Sequence, residues 1–347
     1  MFDVGIQGFG GYIPKNRIKV AEIAAVWGKK ASDIERSLGL KEKAVASSDE
    51  DAVTCAFEAA FRSLKVAKCE PTDIEICLVG SESHPYAVNP TSTIVADLLG
   101  CGNNYLAADL EFACKAATAG MIAVSGLIAS GAVKTGLVIG SDTAQAKPHD
   151  ILEYTAASSA AAFVLGKKDV NSIASLDSFT SFSSDTPDFW RRDGVPYPTH
   201  GGRFTGEPAY FAHVMGAAKQ LLTKAKQKPQ DFDYCVFHMP NGKFPREVAK
   251  RLGFSDSQLA PSLTVDTIGN PYSASSLLGL AKVFSIAKPG QKIFMVSYGS
   301  GAGSDGLIFH TLAGISKIQA KKQDMLNDSG EKKYLSYVEY LRVTRKI

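Results

Sequence analysis

The sequence predicts an α/β protein of two duplicated halves, each a mixed, largely parallel sheet covered by helices. Two observations carry that prediction. Short apolar runs ending in polar or charged residues alternate with longer helical patterns along the chain. Strand and helix junctions also recur at one constant displacement: Glu82 against His238, Cys114 against Asn270, and Ser141 against Ser297. Helices beginning near Glu50 and Glu207 repeat at almost the same spacing. Three matching junctions are hard to obtain by chance and imply an internal repeat. The first half spans 1–166, closing with the apolar run Ala160 to Gly166, and the second spans 167–347.

Residues 3–12 predict a strand punctuated by glycine, and 20–38 carry helical spacing broken at Gly28. Asp49 to Ala67 predicts an amphipathic helix with acidic residues in its first turn, the end where negative charge is favoured. Ile74 to Gly80 is an apolar strand ending in Ser81-Glu82-Ser83-His84. Tyr105 to Leu110 predicts a buried strand. Cys114 follows it and precedes 18 uncharged residues, Ala116 to Val133. Their Gly, Ser, Thr and Ala content is too weakly apolar for a membrane span and predicts a core helix. Gly136 to Gly140 is a further strand, ending in Ser141-Asp142.

The second half repeats this order. Glu207 to Ala225 predicts a helix, and Asp233 to Phe237 a strand ending in His238-Met239-Pro240-Asn241-Gly242-Lys243. Asn270 opens a small-residue helix, and Lys292 to Val296 is a strand ending in Ser297-Tyr298-Gly299. Ser178 to Thr205 reads as a long loop, and such loops are more often functional than idle. Its arginines, Arg191, Arg192 and Arg203, either meet phosphate or are solvated. The tail 332–347 places tyrosines three apart, so it either packs on its own domain or docks a partner.

A net charge of +3 excludes a broad nucleic-acid surface. The six cysteines form no C-x-x-C pair and mostly sit in apolar runs, which fits a reducing cytoplasm and argues against zinc or a disulfide framework. No basic region precedes an apolar stretch at the N-terminus, so no signal peptide is expected. His84, His149, His200, His213 and His310 show no metal-ligand spacing, and no metal site is expected. Gly299 to Gly303 lacks the Lys-Ser/Thr of a phosphate loop and reads as a tight turn.

In open α/β sheets ligands gather at the carboxyl ends of strands, where Glu82, Cys114, His238 and Asn270 all fall. A cysteine at a helix N-terminus meets unpaired N–H groups and the positive end of the dipole, which ease loss of the thiol proton. The alternative is a buried structural cysteine. Glu82 is either a base with its pKa raised by desolvation or a turn cap. His238 and Asn270 are either substrate contacts or a satisfied core histidine and a turn residue.

Ser81-Glu82-Ser83, Glu111-Phe112-Ala113-Cys114, the stretch Gly202 to Tyr210, the stretch Phe237 to Lys243, and Ser297-Tyr298-Gly299-Ser300-Gly301 together resemble the hydroxymethylglutaryl-CoA synthases. The compact length and Gly-Arg-Phe-Thr-Gly-Glu-Pro are similar to their archaeal branch. The resemblance covers nearly the whole chain. It implies a thiolase-like fold of five layers, αβαβα, with two mixed sheets. It implies condensation of acetyl-CoA with acetoacetyl-CoA in the mevalonate route, with no resident cofactor. By resemblance, Cys114 carries the acetyl group, Glu82 takes a proton from its methyl, and His238 polarises the ketone. Asn270 contacts the same substrate. Arg203 and Lys243 meet the CoA phosphates, Thr155 and Thr205 line the acyl site, and N–H groups at Cys114 and near Ser300 form an oxyanion hole.

The chain departs from the family in carrying Glu247 where a basic residue is usual, with Arg246 beside it to substitute. The resemblance further implies a homodimer, and a complex with acetoacetyl-CoA thiolase and a small zinc-binding scaffold protein. Two rival readings share the fold. An initiating-type 3-ketoacyl-carrier-protein synthase uses Cys, His and Asn but needs no Glu82, because decarboxylation makes its carbanion. A non-catalytic thiolase scaffold needs none of them.

Overall fold

The computed structural model describes residues 3–301, 303–319, 325–326 and 330–347. Up to residue 167 the chain forms β1 (Val4–Tyr12), β2 (Asn16–Lys19), α1 (Val20–Val26), α2 (Ala31–Leu38), β3 (Glu42–Val45), α3 (Ala52–Ala67), β4 (Ile76–Gly80), α4 (Thr91–Leu99), β5 (Leu106–Leu110), α5 (Ala116–Ala129), β6 (Thr135–Thr143) and β7 (Ser158–Lys167). Beyond it come β8 (Ala174–Ser183), the two-residue strands β9 (Phe189–Trp190) and β10 (Thr199–His200), α6 (Ala212–Ala225), β11 (Tyr234–Phe237), α7 (Lys243–Leu252), α8 (Asp256–Leu259), α9 (Val265–Ile268), α10 (Ser275–Ile286), β12 (Lys292–Val296), β13 (Gly303–Thr311), α11 (Gly314–Gln319), β14 (Lys333–Tyr334) and α12 (Tyr337–Val343).

Nine strands lie in the order β11-β12-β13-β8-β1-β7-β6-β4-β5. The two expected sheets are joined at their edges. β1 and β8 share a short antiparallel register, Gly5 with Ser175 and Ile6 with Ala174. β4 runs parallel to β5 and β6, and β11 parallel to β12.

Side chains along each strand alternate between faces, and the apolar clusters follow that alternation. Ile76, Leu78, Val138, Val236, Ile293 and Met295 point into one central cluster with α5 and α10. Cys77, Val79, Leu137 and Ile139 pack instead under α3 and α4. Cys235, Phe237, Phe294 and Val296 pack under α6 and α7. α5 and α10 therefore lie against one face of the strands of both halves, with α3 and α4, or α6 and α7, against the other.

Local chemistry explains the boundaries. Asp51 accepts from the Thr54 N–H while Thr54 Oγ1 accepts from the Asp51 N–H, a reciprocal cap that starts α3. Gly39 in the left-handed region ends α2.

The structure departs from the sequence reading in four places. β5 is not buried; it is the sheet's edge strand, with Leu106 exposed. The supposed loop from Ser178 begins only after Ser183, because β8 fills the centre of the sheet despite its polar sequence. The repeat register slips at its second junction. Short 3-10 turns at Ala113–Lys115 and Tyr272–Ala274 each begin with a positive φ, 45° and 39°, so Cys114 matches Ser273 rather than Asn270.

The fourth departure is the tail, which docks on the opposite half from the one it was grouped with. β14 pairs with β2, and Leu335 and Tyr340 are buried against Ile18, Val20 and Ile23. Tyr337 Oη donates to Glu153 at 3.2 Å and Tyr334 Oη to Glu42 at 2.9 Å, so the spaced tyrosines serve internal contacts.

Candidate active site

β4 and β6 are parallel neighbours, so their carboxyl ends deliver Ser81-Glu82 and Asp142 to one place. Gly80 ends β4 because nothing larger fits: a Cβ there would sit 2.4 Å from the Ala117 N. That close approach sets the turn after β4 against the start of α5. Asp142, fully buried, then organises the turn. Its Oδ1 accepts from Ser81 Oγ at 2.9 Å, the Glu82 N–H at 2.8 Å and Ser83 Oγ at 2.7 Å. Its Oδ2 accepts from the Ser273 N–H at 2.8 Å, tying the turn to the second half. Arg191 Nη2 donates to the Glu82 carbonyl at 2.9 Å. Arg191, for which phosphate and solvent were the two readings, is thus committed through one guanidinium nitrogen to a backbone contact at the residue that meets Cys114. With its backbone held on both sides, Glu82 presents its carboxyl to the sulfur of Cys114, 2.9 Å from Oε1.

Cys114 lies in the 3-10 turn ahead of α5, behind Ala113 at φ 45°, a conformation costly for a residue with a side chain. The thiol is not acidified. Burial, the Glu82 carboxylate and its hydrogen bond push the Cys114 pKa well above the usual thiol value. The favourable bond from its own N–H is the smallest influence, which corrects the expectation drawn from the helix N-terminus. Desolvation, then the Asp142 charge, raises Glu82 from 4.5 to about 8. Burial drives His238 down from 6.5 to about 3, so its imidazole is neutral throughout the physiological range.

A cavity of about 240 Å³ opens in front of the sulfur. Cys114, Thr155, Thr205, His238, Asn270 and Ser300 all line it, with Phe189, Tyr210, Tyr272 and Tyr298 among its apolar walls. Asn270 Oδ1 accepts from the Tyr272 N–H at 3.0 Å, so its amide N–H groups are the end left for a ligand. Tyr210 Oη donates to the His238 carbonyl at 2.7 Å, and Tyr298 Oη to Asp188 at 2.8 Å. Asp188 also accepts from the Gly301 N–H at 2.7 Å, holding the turn beside Ser300.

The expected CoA contacts divide. Thr155 and Thr205 reach the cavity; Lys243 does not. It stands exposed at the start of α7, lining a separate groove with Arg246, Glu247 and Lys250, while Asn241 and Phe244 beside it line the cavity. Arg246 is paired with Asp266 at 2.7 Å and Glu247 with Arg251 at 2.7 Å, so Arg246 is not free to replace a missing basic residue. The side chain of Arg203 lies outside the described residues. Asp142, Asp188, Tyr210 and Tyr298 were not singled out from sequence. The one available signal was a charge at the end of an apolar strand, which Asp142 shows.

Family profiles described as 3-oxoacyl-[acyl-carrier-protein] synthase III match residues 108–182 and, for its C-terminal part, 222–311. Full-length similarity is more specific. A hydroxymethylglutaryl-CoA synthase of Archaeoglobus fulgidus is 52% identical over 344 residues, covering 99% of both chains. One of Methanocaldococcus jannaschii is 52% identical over 343 residues, again covering 99% of each. The chain belongs to the hydroxymethylglutaryl-CoA synthase family.

Among solved structures, an MvaS protein in complex with 3-hydroxy-3-methylglutaryl coenzyme A superposes with a TM-score of 0.88 at 25% identity, covering 99% of this chain and 91% of that one. The condensing-enzyme profiles take in Cys114, His238 and Asn270 but stop short of Glu82.

The raised carboxyl pKa has a consequence for stability. Between 4.5 and about 8 the folded protein keeps a proton on Glu82 that the unfolded chain has lost, so stability falls as pH rises through that window. Glu82→Gln removes the titration. Its melting temperature should equal that of the parent near pH 4.5 and exceed it above pH 8, by the equivalent of a few kcal/mol. Thermal melts of both proteins across that range check the sign.

Proposed function

We propose that the protein is a hydroxymethylglutaryl-CoA synthase, forming 3-hydroxy-3-methylglutaryl-CoA and CoA from acetyl-CoA, acetoacetyl-CoA and water in the mevalonate route to isoprenoids. The contact between Cys114 and Glu82 carries the reading, because it joins a nucleophile to its base beside a cavity holding His238 and Asn270. Cys114 attacks the acetyl carbonyl as its proton passes to Glu82, and the CoA thiolate leaves with that proton. Backbone N–H groups at Cys114 and Ser300 stabilise the tetrahedral oxygen.

Glu82, again ionised, takes a proton from the methyl of acetyl-Cys114. The enolate carbon attacks the ketone carbon of acetoacetyl-CoA, which the neutral His238 polarises through an N–H and Asn270 orients through its amide. The alkoxide formed takes up one proton to become the 3-hydroxyl, balanced by the proton that Glu82 removed from the methyl and now gives up. Water then cleaves the thioester to Cys114, releasing the product acid and restoring the thiol. Thr155 and Thr205 contact the acyl groups, and Arg203 and Lys243 the CoA phosphates. For Lys243 this requires the CoA tail to cross from the cavity rim to the α7 groove.

The proposal extends to assembly. Among the described residues β5 has no strand on one side of its backbone, at the sheet edge beside exposed Leu98 and Leu106, which supports edge-to-edge pairing in a cytoplasmic homodimer. A complex with acetoacetyl-CoA thiolase and a small zinc-binding scaffold rests on the likeness to archaeal relatives, and a pull-down recovering neither partner removes it.

One assay tests the activity. Incubated with acetyl-CoA and acetoacetyl-CoA, the protein should release free CoA, and with malonyl thioesters it should not. Turnover with malonyl substrates alone would transfer the chain to the ketoacyl-carrier-protein synthases, and turnover with neither would leave a scaffold.

A further inference from the structure

Directly behind the nucleophile lies a buried ionic cluster that none of the chemical steps uses. Lys115 follows Cys114 in the same 3-10 turn, yet its side chain is 4% exposed and turns inward. Its Nζ donates to both oxygens of Asp305 at 3.0 and 2.9 Å and rests 4.0 Å from the centre of the Phe112 ring. Asp305, 1% exposed, sits on β13 of the other half. It also accepts from Thr118 Oγ1 at 2.9 Å, in the first turn of α5, and from Ser181 Oγ at 2.7 Å, on β8. Thr118 and Ser297 share a hydroxyl contact of 2.7 Å, and the Ser297 N–H donates to the Asp305 carbonyl at 2.9 Å.

We propose that the Lys115–Asp305 pair is a positioning device that sets the Cys114 turn against the 297–301 loop, and with it the alignment of the sulfur and the oxyanion donors. The proposal rests on the reading of Cys114 as the acylated residue. Three features support it. The pair crosses between the two halves at the one turn that carries the nucleophile. The facing loop is pressed close: a Cβ on Gly299 would lie 2.7 Å from the Phe112 carbonyl and 3.2 Å from the Lys115 N. Finally, a buried ion pair contributes little net stability compared with apolar groups of the same shape, so stability alone does not account for it. What it does supply is direction. Five hydrogen bonds to one carboxylate and its own carbonyl fix where β8, β12, α5 and the cysteine turn meet.

The test separates position from stability. Lys115→Met and Asp305→Asn each leave a buried charge without its counter-charge, and both should lower the melting temperature. The double variant Lys115→Met/Asp305→Leu removes both charges and should recover much of it. Single-turnover acetylation of Cys114 by acetyl-CoA, followed by intact-protein mass spectrometry, should stay slowed in the double variant by about 100-fold, the cost of roughly an ångström of misplacement. KM for acetyl-CoA should change little, because the pair does not line the cavity. A double variant that recovers both stability and the parental acetylation rate would overturn the proposal. So would a slowed variant whose defect lies wholly in KM. Failure of the parent protein to acetylate at Cys114 at all would instead reject the reading on which the proposal rests.

Discussion

Glu82→Ala should still acquire an acetyl group on Cys114 and should fail to condense it. The carboxylate is responsible, through its charge and its hydrogen bond, for part of the rise in the thiol pKa. Removing it lowers that pKa, although burial still holds the thiol above its usual value, so the first step survives but slows for want of the group that takes the thiol proton. The second step has no substitute base. His238 lies in the cavity wall and is neutral, and in the proposed mechanism it donates to the ketone rather than accepting the methyl proton. Asp142 is buried behind the turn with both oxygens occupied. Overall turnover should therefore drop by about 10²–10⁴-fold, the usual contribution of a positioned base. Intact-protein mass spectrometry reads the stalled acetyl-enzyme, and ultraviolet titration of the thiolate reads the lowered pKa. An acetyl-enzyme that condenses normally would show that the proton goes elsewhere.

Asp142→Asn should produce the next largest effect, and of a different kind. Its Oδ1 serves three donors and its Oδ2 serves the Ser273 N–H. An asparagine keeping its carbonyl toward the three donors places its own N–H₂ against Ser273. That leaves a buried donor facing donors, at about 1–3 kcal/mol. The same substitution removes a charge that raises Glu82. In the parent, activity should rise with pH as Glu82 ionises through about 8, because only the carboxylate accepts a proton. In Asp142→Asn that limb should move to lower pH, while kcat at its plateau falls because the turn is no longer tied to the second half. A pH–rate profile of each protein distinguishes the two contributions. A limb that does not move would assign it to a group other than Glu82.

Much of this was legible in the sequence, and the misses have physical reasons. Strands such as β4, β6, β11 and β12 are buried on both faces and so read as continuous apolar runs. β8 could not be found that way. Its sequence ASLDSFTSFS spends hydroxyls on internal partners, as Ser181 does on Asp305 and Thr180 on the Ala217 carbonyl. β5 was placed inside because its residues are apolar, yet composition does not tell an edge strand from a central one.

Cys114, Glu82 and His238 stand at junctions that a repeat exposes, and Asn270 just ahead of the turn that matches the cysteine's, whereas Asp142 and Lys115 work through partners far away in the chain. Asp305 lies 190 positions beyond Lys115, and no local pattern joins them. The direction of the Cys114 pKa was missed for the same reason. A helix N-terminus is visible in sequence, but the competing carboxylate 2.9 Å away is a tertiary fact. Desolvation together with that neighbour outweighs the backbone.

The most direct measurement follows acetyl through the protein. Brief exposure to labelled acetyl-CoA, digestion and peptide mapping should place the label on Cys114 and on none of Cys55, Cys69, Cys77, Cys101 or Cys235. Addition of acetoacetyl-CoA before digestion should clear that label and return it in 3-hydroxy-3-methylglutaryl-CoA. Label on another cysteine, or label on Cys114 that acetoacetyl-CoA does not remove, would contradict the account.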